Sequence, residues 1–88
     1  MTYKAYGQKG HVMMDYNGVP VIDMPVRLGT NLLEPVKILN KTVEQGIINP
    51  DERELADMKR ALVAIVRTMR QETKNRLIGM VFDDGDNR

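Results

Sequence analysis

The residues of this chain best suited to chemistry are cations set at helical spacing. Arg60, Ala64, Arg67, Gln71 and Lys74 stand at i, i+4, i+7, i+11 and i+14 and so share one helix face, with Arg70 adjacent. Residues 59–76 carry six positive side chains (Lys59, Arg60, Arg67, Arg70, Lys74, Arg76) against one acid, Glu72. A planar guanidinium pairs bidentately with phosphate oxygens, so such a row with a small residue inside it can seat phosphates. The same row also suits a plain solvated face whose charge complements the negative end of the helix. A second group lies near the start. Tyr3, Lys4, Tyr6, Lys9 and His11 interleave rings with basic or titratable groups. Rings stack on bases and lysines meet phosphates, so this arm is suited to closing over a nucleotide, although an arm of average composition would also contain such residues. The expected phosphate-binding set is therefore Arg60, Arg67, Arg70 and Lys74 from the helix, with Tyr6 and Lys9 from the arm.

Other chemistries find little support. There is no cysteine and a single histidine, so a thiolate metal cluster, a thiol nucleophile and a multi-histidine site are excluded. His11 alone reads as a surface or strand-pairing residue. No G-x-S-x-G, P-loop, G-x-G-x-x-G or H-x-x-x-H occurs. Asp83, Asp84 and Asp86 surround Gly85, but the twelve-residue calcium register with its closing Glu is missing. That triple is suited instead to pairing with a basic stripe on a neighbour. The expectation is a protein that is not an enzyme and uses no cofactor or metal.

The elements that must position these residues fit one small α+β domain, mostly helical. The chain has 88 residues, 42% of them hydrophobic and 28% charged, with a formal net charge of +1. This composition is globular, and the near-neutral balance argues against a histone-like binder of bulk nucleic acid. No run approaches the ~20 apolar residues of a membrane span, and the first residues lack the apolar core of a secretory signal. The expected setting is cytoplasmic, or the host cytoplasm for a phage-encoded chain. So small a chain, with one Phe, three Tyr and no Trp, has little with which to build a core. It is expected to find further burial in a homo-oligomer or complex.

Residues 1–10 read as a mobile arm and 11–26 as a β-hairpin. Asn17-Gly18 sits between two apolar runs, which is the signature of a type I′ turn. Pro20 requires its strand to lie at an edge or to skip a bond there. Helix one is expected over 31–46, with Asn31 and Glu34 as a capping box, Leu32, Val36, Leu39 and Val43 as its stripe, and Gly46 as its stop. Helix two is expected over 50–78, with Asn49 as N-cap, Pro50 at the first position and Gly79 as its end. Leu55, Met58, Leu62, Ile65 and Met69 form its seam and Val66 widens it. Helix one is too short to cover that seam, so the hairpin or another subunit must take the remainder. The two helices are expected to form an antiparallel helical hairpin, with an acidic tail over 79–88.

The segment from Asn31 to Lys74, and above all Pro50-Asp51-Glu52-Arg53-Glu54 at the start of helix two, resembles the helical-hairpin module of phage-encoded cyclic-nucleotide sponges, the anti-CBASS and anti-Thoeris sequestering proteins. The resemblance covers half the chain. Arg67-Thr68-Met69-Arg70-Gln71-Glu72 stands where that family carries a small-residue, alanine-rich end, and the Asn17-Gly18 hairpin is an addition. The resemblance implies an oligomeric inhibitor that sequesters a small phosphate-containing ligand, such as a cyclic nucleotide, between subunits. Two other classes stay open. Met24-Pro25-Val26-Arg27-Leu28 followed by two helices has the order of a ribbon-helix-helix DNA-binding regulator, with Arg27 as its base reader, although helix two is about twice the length that fold wants. Seven methionines, four of them Met1, Met13, Met14 and Met24, suit a structural or adaptor subunit that binds a host or virion protein, and suit a core equally.

Overall fold

A computed structural model describes residues 2–86, with side-chain surroundings over 2–79. Its order is β1 (Tyr3–Gln8), β2 (His11–Tyr16), β3 (Val19–Pro25), α1 (Glu34–Glu44) and α2 (Glu52–Asp86). The architecture is a three-stranded antiparallel sheet, ordered β1-β2-β3, followed by two helices.

The hairpin expected over 11–26 is present as β2 and β3. Asn17 and Gly18 both take positive φ, 53° and 82°, which is what the type I′ turn demands. The mobile arm expected over residues 1–10 is instead β1, paired with β2 from Tyr3↔Tyr16 to Gln8↔His11. Its turn repeats the same geometry with Lys9 at φ 51° and Gly10 at φ 79°. Lysine gives no hint of a left-handed conformation, so only Gly10 signalled this turn. β3 is an edge strand, and its register with β2 shifts between Met14 and Asp15, next to Pro20. An edge beside an irregularity is where a residue without an N–H is tolerated.

Strand alternation sends Val12 and Met14 of β2 and Ile22 and Met24 of β3 to one face. The helices cover that face. Leu39 of α1, Ile48 of the connection, and Met58, Leu62 and Val66 of α2 complete the buried core. Three of the seven methionines, Met14, Met24 and Met58, are thus core residues. The seam of α2 is rotated from the expected one. The fully buried row is Met58, Leu62 and Val66, a straight i, i+4, i+8 line, with Leu55, Ile65 and Met69 flanking it. A helix lying on a sheet needs a broad stripe rather than the narrow coiled-coil seam, which moves Val66 to the centre. Gly7 permits a close approach of β1 to α2: a Cβ there would stand 3.1 Å from Met69 Sδ.

The helix ends show local logic. Asn31 Oδ1 accepts the Leu33 N–H at 2.8 Å, an Asx turn leading into α1 rather than the expected capping box. Pro35, Leu39 and Thr42 are the buried row of α1; Leu39 is the centre of the expected stripe, whose Leu32, Val36 and Val43 are half-buried beside it, and the Thr42 hydroxyl is satisfied by Ile38 O at 2.9 Å. α1 closes in a Schellman motif. The Gly46 N–H meets Val43 O and the Ile47 N–H meets Thr42 O, with Gly46 at φ 73°. Asn49 does not cap α2. Asp51 does, its carboxylate accepting the Glu54 N–H at 2.8 Å, so the helix starts two residues later than expected.

The largest departure is at the other end. α2 does not stop at Gly79 but continues to Asp86, replacing most of the acidic tail expected over 79–88; Asn87 and Arg88 lie outside the described residues. Thirty-five residues make a rod of about 52 Å, and the molecule is correspondingly long, 57 × 21 × 18 Å.

Candidate functional site

The basic row lies on the part of α2 that is leaving the sheet. Arg67, Arg70, Gln71 and Lys74 line one shallow cavity of about 230 Å³, walled on its other side by Leu28 and Leu32. The loop after β3 holds that wall in place: the Arg27 N–H bonds Thr30 Oγ1 at 2.7 Å and the Thr30 N–H returns to Arg27 O. Arg70 Nε donates to Leu28 O at 2.9 Å, which ties the guanidinium to the loop. That bond uses one of five N–H donors, leaving the remainder of the planar fork for an acceptor. Three cations beside two leucines can pair with an anionic group while apolar surface meets the body of the ligand.

The remaining expected site residues lie elsewhere. Arg60 sits two turns earlier and is paired with Asp57. Tyr6 lies on the other face of the sheet: Ala5 packs on the core and Gly7 faces Met69, so the residue between them points away from α2. Its ring lies 5.4 Å from Lys4 Nζ, a cation–π contact. Lys9 stands at the β1–β2 turn and lines a different and larger cleft of about 660 Å³ with Gly7, Gly10, Met69, Thr73 and Arg76. The site set therefore divides in three, and only Arg67, Arg70 and Lys74 converge. Leu28 and Leu32 were missed because nothing local marks a loop leucine as a cavity wall. Arg76 is visible as a charge, but the facing wall of the cleft, Gly7 to Gly10, belongs to a segment expected to be a mobile arm.

Three further polar pairs are structural. His11 Nδ1 lies 2.7 Å from Asp23 Oδ1 across β2 and β3, on the outer face. Tyr16 donates its hydroxyl to Glu54 Oε1 at 3.0 Å, and the Thr2 hydroxyl donates to Glu54 Oε2, joining the open end of the sheet to the first turn of α2. The Glu54 bond, then burial, then the charges of Glu54 and Asp51 raise the Tyr16 phenol above its ordinary value of 10.0. Arg27, the base reader of the ribbon-helix-helix reading, lies two residues beyond β3 rather than on it. Among the described residues no three His, Cys, Asp or Glu side chains gather as metal ligands. No described helix is long and apolar enough to cross a membrane.

No protein-family model, curated protein or solved structure matches the chain.

Proposed function

We propose that this chain is a non-enzymatic binding protein that works as an oligomer and holds a phosphate-bearing ligand against Arg67, Arg70 and Lys74. The observation that supports this reading is the convergence of those three cations with Leu28 and Leu32 on one cavity. At about 230 Å³ the cavity is smaller than the roughly 300–1,000 Å³ that enclose a drug-sized ligand. One chain therefore supplies part of a site, and a second copy supplies the remainder. A cyclic nucleotide, with phosphate for the cations and a base for the leucines, has the matching chemistry. In this reading α1 and α2 act as an antiparallel helical hairpin, and the protein is an inhibitor that sequesters its ligand in a host cytoplasm.

The test is calorimetric titration with a panel of cyclic mono- and dinucleotides and with inorganic phosphate. Arg67→Ala and Lys74→Ala are expected to weaken binding about 10-fold or more each, the scale of one charge-assisted hydrogen bond. Arg60→Ala is expected to leave it unchanged, because Arg60 pairs with Asp57 away from the cavity. Affinity that survives both cavity substitutions overturns the reading.

A second reading, docking of a protein partner, is favoured by Val19 and Ile47. They are 57% and 60% exposed and line one cavity of about 370 Å³ beside Tyr16. A Val19→Asp, Ile47→Asp double variant that keeps nucleotide binding but loses a co-purifying protein favours this reading.

A further inference from the structure

The cleft of about 660 Å³ between the β1–β2 turn and α2 is a built feature with chemistry of its own. It falls within the roughly 300–1,000 Å³ of small-molecule sites. It also lies apart from the cavity of Arg67, Arg70 and Lys74. Arg67 and Arg76 are nine positions apart, about two and a half helical turns, which puts them on opposite faces of α2. The cleft is held from both sides. The Val26 N–H donates to Gly10 O at 2.8 Å and pins the turn beyond the end of β3. At the floor, the backbone of β1 lies against Met69 because Gly7 has no side chain there.

The cations of the cleft come from two separate elements. On α2 the Thr73 hydroxyl donates to Met69 O at 3.0 Å, and Arg76 Nη2 donates to Thr73 Oγ1 at 3.4 Å. The threonine thus steadies the guanidinium and leaves the rest of its planar fork for an acceptor. Lys9 comes from the turn, where it stands at φ 51°. The equivalent position of the other type I′ turn holds Asn17, the residue type that the left-handed conformation favours. A lysine held there gives up backbone stability, and such local strain gathers at functional positions. Among the described residues neither Lys9 nor Arg76 closes an ion pair, whereas Arg60 does so with Asp57.

The rest of the lining specifies a polar ligand. Glu72 lines the same cleft as the two cations and pairs with neither. Asn75 Oδ1 accepts from Gln71 Nε2 at 3.0 Å, which leaves the Asn75 amide N–H groups to donate. Those N–H groups and the Glu72 carboxylate match hydroxyl groups, which both accept and donate. The described lining holds no aromatic ring, so a base has nothing to stack on. A carboxylate is satisfied by one bidentate arginine, but a phosphate monoester has charge and oxygens enough for both cations.

We propose that this cleft is a second ligand site and takes a small phosphorylated sugar, with the phosphate at Lys9 and Arg76 and the hydroxyl groups at Glu72 and Asn75. The site does not depend on what the cavity on the opposite face holds. Calorimetric titration of the full chain with glucose 6-phosphate, fructose 6-phosphate and ribose 5-phosphate, against glucose and inorganic phosphate, tests it. At least one sugar phosphate is expected to bind about 10-fold or more tighter than inorganic phosphate, and glucose is expected not to bind at about 5 mM. Arg76→Ala is expected to weaken the sugar phosphate about 10-fold or more, and Arg60→Ala to leave it unchanged. Lys9→Asn is expected to raise the urea midpoint, because asparagine suits the turn, while weakening the sugar phosphate about 10-fold. A lysine with a merely structural role would move the first readout and not the second. Glu72→Gln removes a charge that repels both anions alike, so the ratio of sugar-phosphate to phosphate affinity is the informative quantity, and it is expected to fall several-fold. No sugar phosphate bound at about 5 mM overturns the inference, and so does inorganic phosphate bound as tightly, which means a bare anion site. Binding lost with Arg67→Ala but kept with Arg76→Ala puts the ligand on the opposite face and overturns it as well.

Discussion

The two halves of α2 make opposite use of the same pattern. From Met58 to Val66 the apolar row lies on the sheet and is wholly buried, and its sequence, MKRALVAIV, alternates helix-forming and apolar residues without a glycine. Beyond Met69 no described apolar side chain of α2 packs on the core, and the exposed Leu77 and Ile78 are followed by Gly79. Helical periodicity states which residues share a face. It does not state whether anything lies against that face. The first half of α2 is held by its own chain, whereas Leu77 and Ile78 of the second half are half exposed.

This contrast is broken or upheld most sharply by a pair of truncations. Leu62→Ala opens a void under the sheet at a fully buried position and is expected to cost about 2–5 kcal/mol in urea unfolding. Leu77→Ala, measured at a dilution where the chain is monomeric, is expected to stay within about 0.5 kcal/mol. Equal losses would mean that the distal half is as well supported as the proximal half, and the contrast would collapse.

Next in size is the stop of α1, which delivers the chain to the start of α2. Gly46 has φ 73° and open space where a Cβ would go. Gly46→Ala therefore costs only backbone strain, expected at about 1–2 kcal/mol. The cap of α2 follows. Asp51→Ala removes the acceptor for the Glu54 N–H and is expected to cost about 1 kcal/mol. Amide exchange locates that loss: protection should fall in the first turn of α2 and be unchanged after Met69. A uniform fall would show that the helix opens as one unit.

What was legible in the chain follows the same division. The Asn17-Gly18 turn and the Gly46 stop are each specified by a few adjacent residues and are readable; the apolar residues of α2 are readable too, but not that Val66 lies in the fully buried row. β1 was not, because its pairing partner lies across a Lys9-Gly10 turn whose first residue carries no turn signal. It also takes a glycine, Gly7, where it passes close to Met69, and in the sequence the missing side chain reads as looseness. Asn49-Pro50 reads as a good helix start in isolation; Asp51 prevails because its carboxylate reaches the Glu54 N–H. Gly79 reads as a C-cap, but α2 passes straight through it. At the site, three cations were visible as a row, while the leucines that wall them came from a loop whose path depends on the whole fold.

The smallest expected effect is a pH dependence confined to the start of α2. Tyr16 donates to Glu54, and the nearby carboxylates raise its phenol above 10.0. The folded state thus holds this proton more tightly than the unfolded chain does. Linkage fixes the sign: the contribution is fully present below about pH 10 and is lost as pH rises through the raised folded value, where a phenolate would face Glu54. Tyr16→Phe removes the group and with it this part of the alkaline loss. Urea midpoints of parent and variant, followed from about pH 8 to 11.5, are expected to differ in favour of the parent at the lower end and to converge at the upper. Amide exchange at the alkaline end should then show the first turn of α2 opening before the row from Met58 to Val66. A gap between parent and variant that widens with pH would mean that Glu54 accepts from some other donor, and that the sheet is tied to α2 through Thr2 alone.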